Sequence, residues 1–519
     1  MPKIRPPSAV HPTGESCAEP PLAPAGSHAI DTFDGAVHLR WDPEAAVTTF
    51  GQMAYFIEFL KTSGLFEEWV ADAPLTYRSP NAPQPRDVLG TLLLSVLAGH
   101  KRYAHINSIR NDGVNPELLG MSKVLSEDSV RRAFRDIDES ACRRWLGRHL
   151  RKCYEPLLEE DWILDIDTTV KPLYGHQEGA ERGYNPVKPG RPSHVYHSYF
   201  VGRLRMALEV EVGAGNESAS AYAQPGLWAF LDSLERRRWP RLLRGDTQWG
   251  TEGAMAESER RKIAYLFKLR QTRGVKRLIE RLFRRGEWED LGEGWQGAEA
   301  ELQLQGWSRS RRVAVLRRGV RDSLAWERAE PAAKQLSLGL AEVVGPGEVY
   351  EYAVLVTSLT EELEVLGRLY RDRADAENNF DELKNQWGWA GFTTQDLKRC
   401  EALARVQALV YNWWGLFVRL VNEDKRPEAI TTRPLLLHGI ARRTRHGRQT
   451  TLTITSLHAK AKQMRQALER ASAFLGWVRA TAEQLSRGQR WRLILSWIFR
   501  HFLRGRPLGA HGWLPATSG

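Results

Sequence analysis

Between residues 45 and 155 the apolar positions recur at helical spacing, and the pattern predicts a bundle of helices. Within it, Ser126 is placed to cap a helix whose first turn carries Glu127 and Asp128. Val130, Phe134 and Ile137 form the buried face of that helix, and Arg131, Arg132 and Arg135 lie off it. Beyond Asp161 the period shortens to two. Residues 162–170 (WILDIDTTV), 195–201 and 205–212 read as three successive strands, the last with strict alternation. A loop punctuated by Gly and Pro, 174–194, separates the first two. A helix over 221–236, a strand over 241–246, a helix over 251–262 and a strand over 263–269 follow. Three strands and then alternating helices and strands describe a mixed α/β sheet with crossovers. Residues 271–347 alternate in stretches such as AELQLQGW and RRVAVL, which predicts a β-rich insertion. Residues 350–358 (YEYAVLVTS) return to a buried-strand pattern, and from Thr360 the chain is mainly helical apart from a strand at 450–455.

The helical stretch after Thr360 has three faces. On a helix turning 100° per residue, Tyr370, Arg373, Glu377 and Lys384 fall at about 0°, 300°, 340° and 320°. Ala376, Phe380, Leu383 and Trp387 make an adjoining core stripe, and Asp372, Asp375, Asn378, Asn379, Glu382, Asn385 and Gln386 take the solvent arc. A carboxylate between two cations is ordinarily a salt-bridged surface. Here it borders the core stripe and lies beside a tyrosine, which sets it apart. Two further acids occupy telling positions. Asp167 lies within the first strand, with Asp165 on the same pleat face. Asp246 closes RLLRGD at the carboxyl end of a strand, where α/β sheets place their ligands.

Composition narrows the partner. The chain has 519 residues, enough for about three domains. Lys and Arg number 74 against 63 Asp and Glu, a net charge of +11, and such a balance points to a polyanion, most simply nucleic acid. Arg clusters at 236–238, 309–318, 442–448 and 487–506 suit a protein that grips a long duplex with steep salt dependence. Four cysteines without CxxC spacing exclude a disulfide scaffold and a Cys-rich zinc module, and imply a reduced, cytoplasmic protein. The longest apolar runs, near 92–98 and 408–418, are shorter than the ~20 residues a bilayer requires, so no membrane partner is expected.

Tyr370-x2-Arg373-x3-Glu377-x6-Lys384 resembles the Y-(2)-R-(3)-E-(6)-K motif of bacterial insertion-sequence DDE transposases, every spacing included. LDIDTTVKPLYG around Asp167 is similar to the first-Asp block of that group, and RGDTQWG around Asp246 to the second. The resemblance covers roughly 160–400 and implies an α/β, ribonuclease-H-like catalytic core with a β-rich insertion, flanked by helical N- and C-terminal regions. It implies a catalytic, metal-binding triad of Asp167, Asp246 and Glu377 holding two Mg²⁺ about 3.5–4 Å apart, with Mn²⁺ able to substitute. Asp167 would bridge both ions, while Asp246 and Glu377 would each complete one shell. Tyr370, Arg373 and Lys384 would hold DNA phosphates. The implied reaction is cleavage at the terminal inverted repeats and transfer of the freed 3′-OH to double-stranded target DNA, by a homodimer in the synaptic complex. Asp165 stays the runner-up to Asp167, which is favoured because its D-T-T string matches the family block.

The organisation expected is a disordered Pro-rich arm at 1–30 and a helical DNA-binding domain at 31–158. The catalytic domain would span 159–270 and 348–400, with an insertion at 271–347 and a basic helical region at 401–519. Asp246 and Glu377 are 377 − 246 = 131 residues apart, a gap the insertion fills. Its Trp288, Trp295, Trp307 and Trp326 are candidates for stacking on a flipped base, against the commoner role of packing. The GEGWQG string from Gly292 satisfies GxGxxG, but it neither follows a buried strand nor opens a helix, so it is no dinucleotide site. His194 and His197 point to opposite faces of a strand, which argues against shared zinc. Two alternatives remain: a catalytically idle DNA-binding protein derived from a transposase, and a ribonuclease-H-like nuclease that cuts without joining.

Overall fold

The computed structural model describes residues 28–39, 41–42, 44–77, 81–159, 161–186, 188–217, 223–319, 342–343, 349–422, 426–455, 458–481, 484–504 and 508, with backbone alone for 28, 342–343, 349 and 374–377. Residues 1–46 form one unit, in which His28–Thr32 and Gly35–Leu39 pair as an antiparallel hairpin. Positions 28–30, expected in a disordered arm, are strand; the rest of that arm lies outside the described residues.

The second unit begins at Val47. Its helical part contains α1 (Met53–Ser63), α2 (Leu65–Ala71), α3 (Pro85–Leu97), α4 (Glu127–Ala133) and α5 (Glu139–Tyr154). As the sequence predicts, the Ser126 hydroxyl caps α4 by accepting the Ser129 amide at 3.3 Å, and Val130 and Phe134 are buried. Arg131 pairs with Glu127 and Asp128 on the surface of its own helix. Ser126→Ala should cost about 1 kcal/mol in urea unfolding, since a seven-residue helix has few other groups to satisfy its first amides.

Eight principal strands follow: β1 (Ile163–Pro172), β2 (Ser193–Val201), β3 (Met206–Ala214), β4 (Leu242–Gly245), β5 (Ala264–Lys268), β6 (Trp295–Leu302), β7 (Arg311–Gly319) and β8 (Val349–Thr357). With two short strands they form a ten-stranded sheet in the order β3-β2-β1-β4-β5-β8-β7-β6. β1, β2 and β3 are antiparallel neighbours, whereas β4 and β5 run parallel to β1. The crossovers that parallel pairing requires are α6 (Gln224–Asp232), between β3 and β4, and α7 (Glu252–Arg260), between β4 and β5. This connectivity is a ribonuclease-H-like core. Residues 271–347 open with a helix the strand reading missed, α8 (Arg273–Arg285), which buries Val275, Leu278, Ile279 and Leu282. The insertion strands then continue the same sheet, with β8 pairing β5 through Leu355 and Lys268.

After β8 come α9 (Leu363–Arg371), α10 (Ala374–Gln386) and α11 (Leu397–Val421). α11 carries the apolar run at 408–418 and is buried on all sides, as expected of a central core helix. Trp413 meets Trp69 edge-on at 5.4 Å and Phe417 meets Phe56 at 5.3 Å, so the N-terminal helices pack on one side of α11. On the other side Asn412 clamps the edge strand β3, its amide donating to Ala207 O at 2.7 Å and its carbonyl accepting from Ala207 N at 2.9 Å. Those bonds satisfy an edge that would otherwise present open backbone groups. The chain ends with α12 (Ala429–Leu436), β9 (Ile440–His446), β10 (Gln449–Thr455), α13 (Ala461–Ala480) and α14 (Arg487–Ile498). No described helix is long and apolar enough to cross a membrane.

Candidate active site

β1 and β4 run parallel with Asp165 opposite Arg244 and Ile166 opposite Gly245. One step further along the same register brings Asp167 beside Asp246, on strands about 4.8 Å apart. Both carboxylates are partly buried. Asp167 Oδ1 accepts from the Thr168 amide at 2.7 Å, and its Oδ2 accepts from Arg373 Nη2 at 2.9 Å. Asp246 Oδ1 accepts from the Gln248 amide at 3.0 Å, which closes the turn leading toward α7. Burial pushes the Asp246 carboxyl above the usual 3.8, against the pull of Arg373, Arg270 and Lys268. One cation, Arg373, thus contacts Asp167, and three, Arg373, Arg270 and Lys268, favour the charged form of Asp246.

Asp165 has a different environment. It is 1 % exposed and forms a two-pronged pair with Arg244, Nε to Oδ1 at 2.5 Å and Nη2 to Oδ2 at 2.9 Å. Its Oδ2 also accepts the Gly202 amide at 3.2 Å. Those bonds occupy its oxygens. The remaining Arg244 prong, Nη1, donates to Leu369 O at the end of α9.

That last contact corrects the continuous helix drawn from the sequence. In an unbroken α-helix Leu369 O would accept the Arg373 amide. Arg244 takes that carbonyl instead, and the Arg373 amide bonds Tyr370 O, three residues back, at 3.2 Å. Asp372 and Arg373 form a turn between α9 and α10. A three-residue step sets Tyr370 and Arg373 nearly in line, so their relation on a 100° wheel does not hold across the break. Tyr370 lies under the Lys268 ammonium, 5.8 Å from its ring centre. Arg373 is buried to 8 % exposure and reaches Asp167.

Glu377 is carried by α10, but its side chain lies outside the described residues. Lys384 is on the same helix, eleven residues after Arg373 and about 16 Å away by helical rise. It is half-buried, and burial lowers its pKa. The solvent arc assigned to α10 also needs correction. Asn379 and Glu382 are buried, at 0 % and 1 %. Glu382 pairs with Arg426 and accepts from Trp387 Nε1 and the Ala429 amide, both at 3.1 Å. Trp387 is one turn away, but Arg426 and Ala429 come from a segment more than forty residues later, which a helical wheel cannot show.

Sequence reasoning also missed Lys268 and Arg270, at and just beyond the end of β5. The rule that ligands gather at the carboxyl ends of parallel strands applies to β5 as it does to β4. Of the insertion tryptophans, Trp288, Trp295 and Trp307 pack partly buried against the core, each facing an arginine: Arg317 at 3.9 Å, Arg318 at 5.5 Å and Arg311 at 5.5 Å. Trp326 lies outside the described residues. His194 and His197 are separate, as their alternation predicts: His194 Nε2 bonds Glu178 O and His197 Nδ1 bonds Thr168 Oγ1.

Among the described residues no three His, Cys, Asp or Glu side chains are arranged to hold a metal ion. Asp167 and Asp246 nevertheless present the carboxylate oxygens that hard divalent cations prefer, and the burial penalty at Asp246 is one a cation would relieve. The donor chemistry fits Mg²⁺.

Residues 76–474 match the family described as transposase DDE domain group 1. The chain belongs to that family. The carboxylate pair and its cations lie inside the matched span, as do α9 and α10. No curated protein matches the chain. Among solved structures, a cryo-EM structure of a piggyBac transposase synaptic complex with hairpin DNA aligns over 90% of this transposase and 87% of that chain. The identity is 10% and the TM-score 0.36.

Proposed function

We propose that this transposase cleaves double-stranded DNA at the terminal inverted repeats of an insertion sequence and joins the freed 3′-OH to target DNA. The observation that carries this reading is that the sheet register sets Asp167, within β1, beside Asp246, just past the carboxyl end of β4, with Arg373 bonded to Asp167 and with Arg373, Arg270 and Lys268 acting electrostatically on Asp246. Asp167, Asp246 and Glu377 would hold Mg²⁺, which supplies charge stabilisation to the attacking and leaving oxygens of the phosphodiester. Arg373 has a guanidinium that can leave Asp167 for a phosphate once the carboxylate is otherwise neutralised, and it can bind that phosphate through two prongs. Lys268 and Arg270 raise the local potential for the DNA backbone. Tyr370 would add a hydroxyl contact to the same strand. Lys384, further along α10, would contact a phosphate several nucleotides away. The two ends are held by a homodimer, each protomer working on one end.

The test is incubation of a plasmid bearing paired inverted ends with Mg²⁺, followed by sequencing of cut and joined products. Cleavage and joining are both expected. Cleavage without joining would support a nuclease instead, and binding without cleavage an idle derivative. Arg373→Ala and Lys384→Ala should each lower cleavage and loosen the cut end. The larger loss is expected for Arg373, because it touches Asp167 directly. Equal cleavage by the Arg373→Ala protein and wild type would remove Arg373 from the reaction.

A further inference from the structure

The strands β9 and β10 form a hairpin whose tip and outer face are exposed. Its composition is unusual. No Asp or Glu occurs from residue 429 to 468, while Arg433, Arg442, Arg443, Arg445, Arg448, Lys460, Lys462 and Arg465 fall within that stretch. Alternation divides the hairpin into two faces. Ala441 is fully buried and pairs with Thr48 of the short strand Val47–Thr48, and Arg443 forms an ion pair with Glu117. The backbone is anchored closely here, since a Cβ on Gly51 would come within 2.6 Å of the Ala441 Cβ. This inner face fixes the base of the ribbon to the body.

The outer face is exposed along its length. There Arg442 stands opposite Thr453, Thr444 opposite Thr451 and His446 opposite Gln449. The turn is two residues long, with Gly447 at a φ of +58°, a geometry that keeps the twist of both strands continuous to the tip. Seven residues per strand at about 3.4 Å each give a rod of roughly 24 Å. A two-stranded ribbon fits the major groove of B-form DNA, about 12 Å wide and 8.5 Å deep. Arg, Thr, Gln and His donate and accept at base edges, and the absence of carboxylates removes repulsion from the phosphates.

Resting on the transposase reading, we propose that this ribbon is a DNA-reading element that lies in the major groove, with Arg442, Thr444, Thr451 and Thr453 toward the bases and Arg445 and Arg448 toward the backbone. It adds a second contact to DNA, on a sheet other than the one that carries the carboxylates and independent of their chemistry.

The experiment measures binding by fluorescence anisotropy in EDTA, across a salt series, to two 40-base-pair duplexes. One carries the inverted end that brackets this reading frame and the other is a scramble of it. Arg442→Ala and Thr453→Ala should weaken binding to the end duplex by about tenfold and to the scramble by much less. Arg448→Ala should weaken both alike and reduce the salt slope by about one. Methylation of guanine N7 with dimethyl sulfate should interfere with wild-type binding over three or four base pairs, and Arg442→Ala should abolish that interference. An RNA duplex of the same sequence should compete poorly, because its deep, narrow major groove excludes a ribbon.

Thermal melts confirm that each variant is folded, which exposed positions predict. Variants that bind both duplexes as wild type does overturn the ribbon proposal and leave the transposase reading standing. Equal losses on both duplexes for Arg442→Ala, or strong competition by the RNA duplex, overturn base reading by the groove. Wild-type protein that binds neither duplex overturns both readings.

Discussion

Asp246→Asn should reduce Mg²⁺-dependent DNA cleavage by about 10³-fold or more while raising the thermal midpoint. The two effects have one origin. Asp246 follows the last residue of β4 and is placed by the sheet register beside Asp167, so its charge is where a cation would be gathered. Burial holds its carboxyl above 3.8 even with Arg373, Arg270 and Lys268 nearby. The folded chain therefore binds that proton more tightly than the unfolded chain does. The stability this represents is present in acid and lost as pH rises through the folded value, so at neutral pH the charge works against the fold. Asn keeps an oxygen for the Gln248 amide and removes the charge. Mg²⁺ supplies a readout apart from activity: it should raise the melting temperature of wild type and not that of the variant. Asp167→Asn should lose cleavage equally but gain no stability, because it weakens the 2.9 Å bond to Arg373. Wild-type cleavage by the Asp246→Asn protein would exclude the pair from the chemistry, and a lowered midpoint would mean that the carboxylate is structural.

The strands of the core were legible because each is a short run of alternating or continuous apolar residues bounded by turn formers. Their carboxyl ends pointed to Asp246 directly. Other features depend on residues distant in sequence. Asp165 and Asp167 share a pleat face, and alternation alone ranks them equally. What separates them is Arg244, which the register sets opposite Asp165 and not opposite Asp167. The turn at Asp372–Arg373 contains no Gly or Pro to announce it, since its cause is a side chain from β4 capturing Leu369 O. Glu382 reads as a solvent residue on a wheel and is buried because Arg426 neutralises it. The helix α8 was readable in principle. Val275, Leu278, Ile279 and Leu282 have helical spacing, but the alternation that follows them dominates a reading of 271–347 taken as a whole.

Asp165→Ala should destabilise the protein by about 3–5 kcal/mol, because it strands the Arg244 guanidinium in a site where that residue is 4 % exposed. The loss combines three bonds: the two prongs from Arg244 and the amide of Gly202. Replacing both partners, as in Asp165→Leu with Arg244→Met, should recover much of the stability, since it leaves no buried charge uncompensated. It should not recover cleavage. Arg244 also takes Leu369 O, and without it that carbonyl is free to accept the Arg373 amide and extend α9 as a regular helix. Arg373 would then rotate away from Asp167, and the cation facing the carboxylate pair would be misplaced. Urea unfolding and plasmid cleavage on the two single variants and the double variant measure the two consequences separately. A double variant that is stable but inactive would identify Asp165 and Arg244 as the latch that positions Arg373. A double variant with normal cleavage would show that Arg373 reaches its place without them.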